Sequence, residues 1–163
     1  MSSDERRYNP MSYHNGTVWP HDNALCAAGF ARYGLKGAAS NILNGLFDAS
    51  IFFESHRLPE LFCGFPRRPD EAPTLYPVAC SPQAWAAGTV FLFLQACLGL
   101  KVDAIDRTVS FTDPVLPAFL DWVEIAGLRV DDSSVDLTLT RRIDQAVVGV
   151  GSRTGVLRVV TVK

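Results

Sequence analysis

The sequence predicts a mainly α protein, with about three long helices over roughly residues 1–100 followed by a small antiparallel β region over 101–163. Three observations carry that expectation. Apolar residues recur at helical spacing in three stretches before Leu100; a proline-rich stretch separates the second from the third; and β-branched residues alternate with polar ones beyond it.

The first helix is expected to open at Pro20, where a missing N–H costs nothing, with Asp22 complementing the helix dipole. Leu25, Ala28, Gly29 and Arg32 continue it until Gly34 offers a stop. The second follows Gly37 and runs towards Ser55, with Ile42, Leu46, Ala49 and Phe53 at spacings of four and three and so few charges that it reads as mostly buried. The third has Ser81 as N-cap and Pro82 as first residue, then an almost uncharged run through Trp85, Val90, Phe91, Leu94 and Leu98 to Gly99. Between the last two, residues 57–79 hold five prolines in 23 positions, which excludes regular structure and marks a long loop of the kind that carries function. Beyond Leu100, Val135, Leu137 and Leu139 share one strand face, 147–150 and 156–162 suggest two more strands, and Ser152–Gly155 reads as a hairpin turn. No repeat of fixed period is present.

With 163 residues the chain is long enough for a core. Its 15 basic and 17 acidic residues leave a net charge of −2, which gives no electrostatic reason to expect nucleic acid or an anionic membrane as partner. The run from Gly88 to Leu100 is too short to cross a bilayer, and the polar N-terminus is no signal peptide, so a cytoplasmic location is expected. Cys26, Cys63, Cys80 and Cys97 lie 37, 17 and 17 residues apart, without a Cys-x-x-Cys pair or a histidine at zinc-ligand spacing. Neither metal nor cofactor is expected. Cys26 and Cys97 sit in apolar helical patterns and read as core thiols.

Two places could carry chemistry. Tyr8 to Asn23 packs Tyr8, Tyr13 and Trp19 together with Asn9, His14, Asn15, His21, Asp22 and Asn23 into sixteen positions. Flat faces beside donors and acceptors suit a hydroxyl-rich ligand such as a sugar, although a solvated Pro/Gly/Asn loop has the same composition. Glu60 stands inside the proline-rich loop among apolar and small neighbours from Leu58 to Pro66. Partial desolvation there strengthens a carboxylate as a base, provided that a cation or donor keeps it ionised. Arg57, Arg67, Arg68 and His21 are candidates for that partner; a solvent-facing Glu60, or one paired structurally with an arginine, is the plain alternative. Adjacent on a helix start, His21 and Asp22 point about 100° apart and read as separate groups. Trp85 is either a core aromatic or, at its helix start, the wall of a cavity. No nucleophile elbow or phosphate-binding loop is present.

Three ordered blocks, Tyr8–Asn23, Leu58-Pro-Glu-Leu-Phe-Cys-Gly-Phe65 and Tyr76-Pro-Val-Ala-Cys-Ser-Pro-Gln-Ala-Trp-Ala-Ala-Gly88, resemble the C-terminal part of bacterial amylo-α-1,6-glucosidases, relatives of glycogen debranching enzymes. The resemblance covers roughly residues 8–100. It implies a segment of an (α/α)6 six-hairpin toroid, an oligosaccharide or polysaccharide substrate, and an inverting mechanism with two carboxyl groups about 6.5–9.5 Å apart. It further implies Glu60 as the general base, with Trp19, His21, Asp22 and Trp85 lining the sugar site; Tyr13 from the ring-rich segment and Arg67 from the proline-rich loop are expected to bind substrate beside them.

The general acid of that family lies earlier in the ring than anything in this sequence, which supplies only about three of the helices the ring needs. The chain therefore reads as a C-terminal fragment that is nearly inactive alone. It is expected to self-associate or pair with the missing part, and to leave an open apolar face on its second or third helix. A non-catalytic carbohydrate-binding module and a barrel-completing interaction module are the competing expectations.

Overall fold

The first helix, α1 (Pro20–Arg32), is closed at its start by Trp19, whose carbonyl accepts the Asn23 N–H at 3.0 Å and the Asn23 side-chain amide at 2.8 Å. Pro20 thus takes the first helical position, where no N–H is needed. At the other end Gly34 turns left-handed (φ 76°), while Gly34 N–H donates to Ala31 and Leu35 N–H to Phe30. These two bonds make a Schellman stop.

The computed structural model describes residues 1–143 and 145–163. The second helix, α2 (Lys36–Ser50), stops before the expected Ser55: the Ser50 hydroxyl donates to Phe47 C=O, and Ser55 and His56 both adopt positive φ. Its buried apolar positions, Ala39, Leu43, Leu46 and Ala49, form one stripe, so it is amphipathic and not mostly buried. The third helix, α3 (Ala84–Leu98), begins two residues later than expected, because Gln83 and not Ser81 provides the carbonyl that receives Ala87 N–H. It carries no charged residue and leaves Phe91 77% exposed. Cys97 is buried, whereas Cys26 is exposed and is no core thiol.

Among the described residues six strands follow: β1 (Leu100–Asp103), β2 (Thr108–Thr112), β3 (Trp122–Val130), β4 (Ser133–Arg142), β5 (Gln145–Thr154) and β6 (Arg158–Val162). They form two three-stranded sheets, β1-β2-β6 and β3-β4-β5. The expected hairpin at Ser152–Gly155 is not there. Residues 152–154 continue β5, Gly155 turns left-handed (φ 72°), Leu157 is buried, and β6 pairs parallel to β2 in the other sheet.

Helix and strand each account for about 28% of the chain. This overturns the expectation of a mainly α chain that is a segment of an (α/α)6 toroid with a small antiparallel tail. The physical reason lies in the core. A toroid is held by helix on helix throughout, whereas one buried cluster here draws Val109, Phe111, Val130, Val135, Leu137, Leu139 and Ala146 from strands, adding Leu98, Leu116 and Leu157 from the chain between elements or at helix ends.

Two compact units divide the chain. One comprises residues 1–26 and 42–92 and contains the proline-rich loop; the other comprises residues 27–41 and 93–163 and contains both sheets. In the second unit the buried Lys36 ammonium donates to the carbonyl oxygens of Cys97 (3.3 Å), Asp113 (2.7 Å) and Thr112.

Candidate functional site

The first unit holds two stretches without helix or ladder, residues 8–19 and 57–83, joined mainly through their backbones. Val18 and Phe62 exchange N–H to C=O bonds at 2.9 and 3.1 Å, Cys63 N–H donates to Thr74, and Gly64 N–H donates to Pro10. Phe62 is therefore bridged on one side by Val18 and on the other by Leu75. The Tyr8 hydroxyl donates to Gly64 C=O. Glycine is required at the seam, because a Cβ on Gly64 would land on the carbonyl oxygen of Gly16. Gly64→Ala should cost about 1–3 kcal/mol of stability through backbone displacement. Gly45→Ala, on the helix with open space around it, should instead gain up to about 1 kcal/mol. Urea midpoints of the two variants against wild type check both signs.

This seam brings Glu60 to the N-terminal aromatics. Glu60 Oε1 accepts the Tyr13 hydroxyl at 2.5 Å, Oε2 accepts the Cys80 N–H at 3.2 Å, and the Glu60 N–H itself donates to Cys80 C=O at 2.8 Å. The Tyr13 bond, followed by that from Cys80, holds the carboxyl below its usual range against the opposing effect of burial. The same bond, reinforced by burial and by the Glu60 charge, pushes the Tyr13 phenol up to about 12. A donor thus keeps Glu60 ionised, and two of the three arginines proposed for that task are engaged elsewhere: Arg67 pairs with Asp48 at 2.8 Å and Arg68 with Glu71 at 2.8 Å.

Linkage gives opposite signs at the two ends of the pH scale. Glu60 contributes stability that is complete above its ordinary value of 4.5 and lost as pH falls through its lower folded value. Tyr13 contributes stability present below 10 and lost as pH rises towards about 12. Tyr13→Phe should abolish the alkaline dependence and weaken the acid one, which the Cys80 N–H still sustains in part; chemical denaturation followed at acid and alkaline pH would reveal both.

Around Tyr13 the rings meet edge to face: Trp19 and His14 at 4.8 Å and Tyr76 at 5.6 Å between centroids. The Trp19 indole N–H donates to Tyr13 C=O and Thr17 Oγ1, which fixes its plane. A second platform is the His21 imidazole stacked on the Trp85 indole, at 4.8 Å and 11°, joining the first turns of α1 and α3. Trp85 is 49% exposed, so it is not a core aromatic. Asp22 is exposed in the first turn of α1. Of the expected site residues, the structure joins Glu60, Tyr13 and Trp19 in one cluster and His21 with Trp85 in another.

Arg67 belongs to neither. It lines a cleft of about 590 Å³ between α2 and the loop, walled by Phe52, Phe62, Phe65 and Pro66, which Glu60 does not line. Among the described residues no group of three or more His, Cys, Asp or Glu is placed to hold a metal ion. No described helix is long and apolar enough to cross a membrane. Two contributors escaped the sequence reading. Tyr76 lay within a quoted block but carried no signal of its own, and Cys80 acts through its backbone, which no side-chain pattern reveals. No protein-family model matches the chain, and no curated protein matches it significantly.

Proposed function

We propose that this chain supplies the general base and part of the sugar platform of an inverting glycoside hydrolase acting on α-glucosidic linkages of an oligosaccharide or polysaccharide, in the manner of the amylo-α-1,6-glucosidases its sequence blocks resemble. The observation that carries the reading is the Tyr13–Glu60–Cys80 arrangement. A carboxyl held ionised by two donors suits proton acceptance from water and does not suit proton donation to a leaving oxygen. The rings of Tyr13, Trp19 and Tyr76 beside it, and the His21–Trp85 stack, provide faces on which a pyranose can lie. In this role Glu60 takes a proton as water attacks the anomeric carbon and the glycosidic bond breaks on the opposite face. The reading leaves protonation of the leaving oxygen to a carboxylic acid outside this chain. It also places the protein in the cytoplasm, which suits its free thiols.

A substrate whose leaving group needs no proton tests the base alone. α-Glucosyl fluoride should be hydrolysed with β-glucose as the first anomer seen by proton NMR, while natural α-glucosides are barely turned over. No fluoride release above the buffer rate would sink the reading. The exposed His21–Trp85 stack favours a second reading, a non-catalytic carbohydrate-binding module. Its mark would be maltooligosaccharide binding, seen as a change in tryptophan fluorescence, that persists in Glu60→Gln without any fluoride release.

A further inference from the structure

The sheet β3-β4-β5 buries one face and leaves the other in solvent. Val123, Ile125, Leu137, Leu139 and Val148 pack into the strand-built core, so with a period of two their neighbours point outward. The ladder register sets those outward side chains in rows across the three strands. Trp122 lies opposite Thr140, and Thr140 opposite Val147; two residues along, Glu124 lies opposite Thr138, and Thr138 opposite Gly149. All six residues are exposed, Trp122 to 58%.

Four of the six offer unused polar groups. Among the described residues the Trp122 indole N–H, the Glu124 carboxylate and the hydroxyls of Thr138 and Thr140 have no hydrogen-bond or ion-pair partner. The indole of Trp19, by contrast, is spent on Tyr13 and Thr17. Gly149 leaves a gap at the end of its row, since a Cβ placed there meets only the Thr138 C=O at an ordinary 3.5 Å.

This combination selects a ligand. The rows hold no cation to meet a phosphate, and Trp122 and Val147, at opposite ends of one row, are too little apolar surface to anchor a protein partner. A flat ring beside neutral hydroxyls and one carboxylate acceptor suits a pyranose, whose apolar face stacks while its hydroxyls donate and accept. With strands about 4.8 Å apart and same-face residues about 6.8 Å apart, Trp122 and Gly149 are separated by about 12 Å. One sugar ring is too short for that span, so the ligand is an oligosaccharide or a polymer.

We infer that this face is a second saccharide site, on which a glucan chain lies with one ring on Trp122 and the next over Thr138, in the gap left by Gly149, its hydroxyls meeting Glu124 and Thr140. It anchors polymer and does not cleave it: the face belongs to the second unit and Glu60 to the first. That the glucan is α-linked rests on the proposed hydrolase reading; the demand for linked pyranoses does not.

The chain has three tryptophans, so fluorotryptophan labelling gives each its own fluorine NMR signal, assigned with Trp19→Phe, Trp85→Phe and Trp122→Phe. On titration with maltoheptaose the Trp122 signal should shift saturably. Thr138→Val should weaken that binding about two- to tenfold, and Gly149→Val, which fills the gap, at least about tenfold. α-Glucosyl fluoride release should stay at the wild-type rate in both. Each variant places a β-branched residue at an exposed strand position, where it fits, and circular dichroism controls for folding. A Trp122 signal that stays still while those of Trp19 or Trp85 move would overturn the inference and spare the hydrolase reading. A Trp122 shift without any fluoride release would support the inference and sink that reading. Affinity unchanged in both variants, or a signal that moves with protein concentration and not with sugar, as a second copy on this face would produce, would also overturn it.

Discussion

Glu60→Gln is expected to slow α-glucosyl fluoride hydrolysis by about 10²–10⁴-fold, the usual contribution of a positioned proton acceptor. The amide keeps the size of the carboxylate, and its oxygen can still accept a bond from Tyr13 or Cys80, so the seam between residues 8–19 and 57–83 should persist. It cannot remove a proton from water. Glu60→Ala opens space in place of the carboxylate, and azide, which attacks without surrendering a proton, should restore fluoride release with β-glucosyl azide as product. Rescue would distinguish a missing base from a collapsed loop. Unchanged turnover in Glu60→Gln would remove the base role.

Lys36→Met is expected to lower the unfolding free energy by about 1–3 kcal/mol. Methionine retains the apolar stem but removes the ammonium that serves the carbonyls of Cys97, Thr112 and Asp113. A buried polar group left unmade costs about 1–3 kcal/mol, and the ammonium also complements the C-terminal end of α3. Relief from burying a charge offsets only part of this. Burial pushes the lysine below its ordinary 10.5, with the Asp113 charge opposing. The sign of the linkage is therefore a gain in stability as pH rises towards 10.5, lost as pH falls through the folded value. Urea unfolding should show a lower midpoint for the variant, and its stability should no longer rise over that alkaline window. A loss of unfolding free energy below about 0.5 kcal/mol would mean that water satisfies the three carbonyls equally well.

Local chemistry made some of the structure legible. Pro20 and Gly34 bracket α1 because one lacks a donor and the other tolerates positive φ, both properties of single residues. Five prolines kept residues 57–79 out of helices and ladders for the same kind of reason. The alternation of Val135, Leu137 and Leu139 marked β4 because one face of it is buried. By contrast, β1 and β2 are too short for a period to register, and the bulge at Gly127 breaks the alternation of β3. Reading three strands in place of six, and running α2 on to Ser55, produced the overturned mainly α expectation.

At the candidate site the division is similar. Residue types alone marked Glu60 and the ring-rich segment 8–23 as the groups able to meet a sugar. The bond from Tyr13 to Glu60, the part played by Cys80 and the diversion of Arg67 to Asp48 depend on segments tens of residues apart. Sequence by itself determined the ends of α1, the irregular loop and the inventory of reactive groups, since each follows from the φ range or side chain of one residue or its near neighbours. Which groups touch, which arginine is occupied and which sheet receives β6 were decided only by the tertiary structure, because those choices are set by long-range backbone bonds and by the burial of apolar surface.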